Sequence, residues 1–273
     1  MSDQDDNRRY GRAMGPTARF MQLVRGPEDE LALDEAALLI AAHAHPDLDI
    51  DRERARLDEL AARCPEPTLA GWRQYLFEDL GFTGDPVRNF DAGDLFLNDV
   101  LDTRRGLPIT LAVVGMEVGR RLGVRFEGIG MPGHFLLRVA DSPDTFVDPF
   151  HGGAILDRLG CVQRFNAVNP PAAPFHSEYL DPVGPRAIVG RILQNLKGVY
   201  TRHGDTAALR WVFDLRLAIP GTPPLERRDG ARLQAAGGRF DVAADQLEDL
   251  AKSMPESAAD LRTEARALRA RLN

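Results

Sequence analysis

The stretch from Arg104 to Phe150, RRGLPITLAVVGMEVGRRLGVRFEGIGMPGHFLLRVADSPDTFVDPF, constrains the fold more than any other part of the chain. Gly106 breaks whatever precedes it. Pro108 suits a first helical residue, because its ring fixes φ and its missing N–H would have no partner there. Ile109, Ala112, Val113 and Met116 follow on one face of a 3.6-residue period, with Glu117, Arg120 and Arg121 off that face. The two arginines complement the negative end of the helix dipole, and Gly123 supplies a left-handed stop. A central helix from about Pro108 to Gly123 is therefore expected.

Beyond Gly123 the pattern changes to strands over 124–131, 134–139 and 145–148, separated by a Pro132-Gly133 turn and a turn over 141–144. A hairpin centred near Ser142 sets Leu136 opposite Asp148 and His134 opposite Phe150. His134 and Asp148 then emerge on one face as diagonal neighbours, and a slip of one residue would separate them. A histidine oriented by a carboxylate is the base half of a nucleophilic site, though such a pair can equally be structural. Arg138, on the same expected face, could compete for Asp148.

A helix beginning after a glycine, a histidine on the next strand and an Asp-Pro on the strand after it resemble the transglutaminase-like, papain-related fold. RRGLPITLA, MPGHFLLRV and FVDPFHGG resemble its SirB-type branch more narrowly, as do ILQNLKGVYTRHGD and the helical tail. The resemblance runs from roughly Leu38 to the C-terminus. It implies an α+β fold, with a helix-plus-antiparallel-sheet domain, N-terminal helices and a C-terminal tetratricopeptide-like α-helical region. In active members the nucleophilic cysteine stands at the head of the central helix, where unpaired N–H groups and the dipole stabilise a thiolate. Here that position is Pro108, while His134 and Asp148 carry over as the other triad members. The family also has an Asn-Ser pair before L-x-N-x-V-L, where this chain has Asp94 and Leu95, and Asp94 is expected to cap a short helix over 94–101.

The chain has 273 residues, enough for one large or two medium domains, and a net charge of −7 gives no electrostatic reason to bind nucleic acid or an anionic membrane. Cys64 and Cys161 make no disulfide framework and are expected as small buried apolar residues. No apolar run suggests a signal peptide or a membrane span, so a soluble cytoplasmic protein is expected. Residues 1–18 are polar and expected to be flexible, and residues 19–168 form the transglutaminase-like domain with its N-terminal helices. Helices are expected over 20–44 (a pair or one broken helix), 49–63 and 69–80, the last with Trp72, Tyr75, Leu76 and Phe77 facing the core. His43-Ala44-His45-Pro46-Asp47 lacks the convergent ligands of a metal site and reads as a helix end stopped by Pro46. No metal or cofactor is expected. His151, His176 and His203 are isolated in sequence and receive no role.

Residues 169–185 are expected as a Pro-rich linker. In the following region, 186–273, Leu196, Tyr200, Gly204 and Ala208 ending at Pro220 are echoed by Gly238, Phe240, Ala243 and Leu247 ending at Pro255. The glycines stand 34 residues apart and the prolines 35, a tetratricopeptide-like period. Two such pairs and a last helix are too few for a freestanding solenoid and are expected to dock on the first domain. Such surfaces commonly bind a protein or peptide partner, and with only two repeats a purely scaffolding role is an equal expectation.

Two function classes follow. One is a non-catalytic transglutaminase-like protein acting in interaction or regulation. The other is a hydrolase or acyltransferase using His134 and Asp148, with Thr110 or a water as nucleophile, since Thr110 is the third residue of the central helix. A hydroxyl there can instead bond backbone within its own helix.

Overall fold

A computed structural model of the protein describes residues 14–87 and 90–272. The expected flexible segment lies outside the described residues up to position 13, and from Pro16 the chain is already helical. The chain divides into two compact units, Met1–Asn195 and Leu196–Asn273.

In the first unit, α1 (Pro16–Arg25) and α2 (Leu33–Ala41) are joined by a short 3-10 turn, Glu28–Glu30, so the broken-helix expectation holds. Asp49 caps α3 (Ile50–Ala62) by accepting from Arg52 N–H. Thr68 caps α4 (Leu69–Arg73), which widens into a π-helical turn over Gln74–Asp79. Trp72 of α4 is fully buried, and its indole N–H donates to the Gly115 carbonyl. Asp94 does not cap a helix. Asp91 is the N-cap of a 3-10 turn, Ala92–Leu95, and Asp94 closes its capping box from the third position before α5 (Leu97–Thr103) begins.

The central helix, α6 (Pro108–Leu122), has the expected bounds, with Gly123 left-handed at its end. It packs against α2, α3, α5 and the first two strands of the sheet. Burial runs almost all round it: Glu117 is buried while Met116 is only half-buried, the reverse of the expectation from the apolar stripe. The reason is a non-local set of partners. Arg121 reaches Asp34 of α2 at 2.7 Å, Glu117 at 2.6 Å and Asp58 of α3 at 2.6 Å, and Arg54 lies 3.2 Å from Asp34. Burial would raise the Asp34 carboxyl, but the Arg121 hydrogen bond and the Arg54 and Arg121 charges outweigh it and hold it below the ordinary carboxylate range.

The sheet is antiparallel in the order β4-β3-β2-β1-β5, built from β1 (Phe126–Ile129), β2 (Leu136–Val139), β3 (Ser142–Asp148), β4 (Ala154–Leu156) and β5 (Pro182–Val183). Leu137 pairs with Val147 and Arg138 with Phe146, the register expected from a hairpin centred near Ser142. The turn itself sits at Ala140-Asp141, earlier than expected. A shift between Arg138 and Val139, whose partner is Ser142, places the surplus residues in a bulge on β3. Leu136 and Phe146 face α7 (Arg158–Val168), whose Cys161 and Phe165 join their cluster, whereas Leu137 lies against the α6 side at Gly115.

Residues 169–185 are not a free linker. Phe175 and Tyr179 pack on the cluster of Phe146 and Phe165, and β5 pairs with Gly128 and Ile129. Aromatic side chains and backbone pairing bind the proline-rich stretch to the first unit, and the division between units falls within α8 (Pro185–His203).

The second unit holds the end of α8 and then α9 (Thr206–Ala218), α10 (Pro224–Ala236), α11 (Phe240–Ser253) and α12 (Ala258–Arg269). Gly204 (φ 68°) ends α8 and Gly238 (φ 80°) follows α10, so the repeated glycines occupy equivalent left-handed turns between successive helices. Ala231, Ala244, Leu247, Ala251, Leu261 and Ala265 form its core, small residues where helices cross closely. Among the described residues no helix is long and apolar enough to cross a membrane.

Candidate functional site

His134 follows the Pro132-Gly133 turn and precedes β2 by two residues, its N–H bonded to the Met131 carbonyl. Asp148 is the last residue of β3 and caps a 3-10 turn, Pro149–His151, by accepting from His151 N–H at 3.3 Å. The register brings the two side chains together as expected: His134 Nε2 lies 3.0 Å from Asp148 Oδ1, with His134 4% exposed and Asp148 fully buried. The imidazole donates, since an ionised carboxylate only accepts. Its Nδ1 is then the ring nitrogen left for proton transfer to another group.

Two further basic side chains reach the same carboxylate. His151 Nδ1 lies 2.7 Å from Asp148 Oδ2, so His151 is not isolated. Arg164 of α7 lies 2.8 Å from that oxygen, in an ion pair not aligned as a hydrogen bond. Asp148 shares its side of β3 with Phe146, the side α7 covers, which explains why Arg164 finds it. Arg138 does not compete: it pairs at 2.7 Å with Glu127, its direct cross-strand partner, whereas Asp148 is two residues farther along the neighbouring strand. Burial would raise the Asp148 carboxyl, but the His134 hydrogen bond and the charges of His134 and His151 outweigh it and hold it below the ordinary range.

Pro108 is the first residue of α6, the place expected for an attacking cysteine. The Thr110 hydroxyl is fully buried and makes no hydrogen bond, neither to His134 nor to its own helix. Cys161 lies in α7 rather than in a turn, and burial pushes its thiol up to about 12. Cys64 is half-buried rather than buried, and its thiol donates to the Glu66 carbonyl at 3.3 Å. Before the head of α6 lies a small cavity of about 20 Å³, walled by Asp94, Gly106, Leu107 and Phe150, room for about one water. Phe150 is held there by one backbone bond, its carbonyl accepting from Gly84 N–H at 2.8 Å, and a Cβ on Gly84 would stand 1.9 Å from the Phe150 ring. His43 and His45 serve separate contacts, to Thr17 and the Leu39 carbonyl and to Asp99 respectively.

A family model described as the transglutaminase-like superfamily matches residues 34–194, which contain α2 through the sheet and the His134–Asp148 pair. The chain belongs to the transglutaminase-like superfamily. Within it, the chain is 34% identical over 233 residues to a UPF0162 protein of Xylella fastidiosa, covering 80% of this chain and 83% of the relative. It is 30% identical over 213 residues to a UPF0162 protein of Vibrio cholerae, covering 74% and 78%. A shorter likeness to mouse F-box only protein 21, 38% over 63 residues, covers 23% of this chain and 10% of that protein. No solved structure matches. The family-model match thus embraces both members of the pair, while the signal for His151 was available in the sequence as an Asp-Pro-Phe-His spacing, Asp148 capping a turn three residues long.

Proposed function

We propose that this protein is a non-catalytic transglutaminase-like protein of the SirB-type branch, acting by binding a protein or peptide partner on its C-terminal helices. The observation that carries the reading is Pro108 at the head of α6, a residue with no side-chain nucleophile. Thr110, the substitute within the same turn, has a hydroxyl that no base touches. The binding half is supported by the 34-residue tetratricopeptide-like repeat and by Leu225, an apolar side chain 71% exposed on α10.

Affinity capture from extracts of the source cells tests this. Leu225→Glu lowers recovery of the partner captured by the wild-type chain, and His134→Ala leaves it unchanged when both variants melt as the parent does. Recovery lost only in His134→Ala would reverse the assignment.

A second reading, a hydrolase or acyltransferase, is favoured by the buried 3.0 Å contact between His134 and Asp148, an oriented base of the kind acyl transfer uses. In that case Thr110 or a water attacks, and turnover of an activated ester falls in His134→Ala.

A further inference from the structure

His151 and Arg164 have no task in either reading above, yet with His134 they converge on one carboxylate. One donor atom from each of His134, Asp148 and His151 lies within 4.8 Å of the other two, a set of metal-binding kind among the described residues. We infer that these three side chains form a binding site for a divalent transition-metal ion of the zinc class. Two imidazole nitrogens and one carboxylate oxygen are a borderline donor set that suits Zn²⁺, and three protein ligands leave a fourth position for water.

Metal–ligand bonds of about 2 Å hold tetrahedral donors roughly 3.3 Å apart. Each imidazole already stands near that spacing from one oxygen of the carboxylate, His134 Nε2 at 3.0 Å from Oδ1 and His151 Nδ1 at 2.7 Å from Oδ2. The two imidazoles must draw together. His151, whose side chain is 32% exposed, can do so without disturbing the buried pair. Each imidazole would turn a lone pair toward the ion and carry its proton on the other nitrogen, so the ion takes the place of the two N–H hydrogens now directed at Asp148. Arg164 is the one unfavourable neighbour, but a carboxylate offers about four lone-pair directions, so Oδ2 can keep the guanidinium on one side and the ion on the other. A bound ion would also occupy His134 Nε2 and fix the dyad as a ligand set.

The test uses the full chain, stripped with a chelator and titrated with Zn²⁺ against a chromophoric competitor. The wild type takes up one ion per chain, and His151→Gln weakens that uptake by at least about tenfold. Because His151 is half-exposed, this variant is expected to keep its melting temperature. Co²⁺ substitution gives an independent readout, a visible spectrum of tetrahedral intensity in the wild type that His151→Gln loses. No uptake by the wild type, or equal uptake and an unchanged Co²⁺ spectrum in His151→Gln, overturns the site.

Discussion

Two carboxylates in the first unit are almost completely buried, Asp34 at 1% and Asp148 at 0% exposure, and each is met by several basic side chains. Asp34 is held by Arg121 and Arg54, with Arg120 at 4.0 Å, all guanidiniums that keep their charge at any working pH. Asp148 is held by two imidazoles, His134 and His151, and by Arg164. The first arrangement is a brace between α2, α3 and α6. The second gathers two imidazoles and a guanidinium on one carboxylate at the end of the sheet. The contrast teaches that burial alone does not separate two such acids, whereas the chemistry of their partners does: only guanidiniums on Asp34, two imidazoles beside a guanidinium on Asp148.

Breaking the brace is expected to have the largest effect. Arg121→Ala leaves Asp34 and Glu117 buried with too little positive charge, and should cost about 3 kcal/mol in urea unfolding. Asp148→Asn should cost about 2 kcal/mol, since Arg164 and the histidines lose the charge they face.

The same variant sharpens the pH behaviour. Both carboxyls are depressed in the folded protein, so their stabilisation is present above the unfolded value near about pH 4 and is lost as pH falls through the folded values. Urea midpoints measured from neutral to acid pH should fall less steeply in Asp148→Asn than in the wild type. An unchanged slope would mean that His134 and His151 do not depress Asp148.

Smaller effects separate surface from core. His151→Gln should change stability by under about 1 kcal/mol without metal, because its ion pair is partly open to water. Iodoacetamide at mildly alkaline pH should label Cys64 and spare Cys161 in the native protein, and label both after denaturation, since burial raises the Cys161 thiol to about 12. Native labelling of Cys161 would show that α7 opens readily.

The sequence made α6 and the hairpin register legible because their determinants are local. Gly106, Pro108 and Gly123 punctuate the helix, and residue alternation sets His134 and Asp148 on one side. What it concealed was non-local. Glu117 and Arg121 read as lying off the apolar face because Asp34, which Arg121 joins, is 87 residues from Arg121, and charges are ordinarily exposed. Arg164 was hidden for the same reason, brought to Asp148 only by the packing of α7 on the sheet. The prolines of 169–185 suggested stiffness, while Phe175 and Tyr179 carried the packing that decided the matter. His151 was missed although it was local, because its role depends on the turn that Asp148 caps.

The central claim of the proposed function is that the chain keeps an oriented imidazole, His134, but carries no working nucleophile at Pro108 or Thr110. Intact-mass and peptide-mapping analysis after incubation with an activated acyl ester tests it directly. The account predicts no acyl adduct on Thr110 in the wild type. An adduct on Thr110 that disappears in His134→Ala would contradict it.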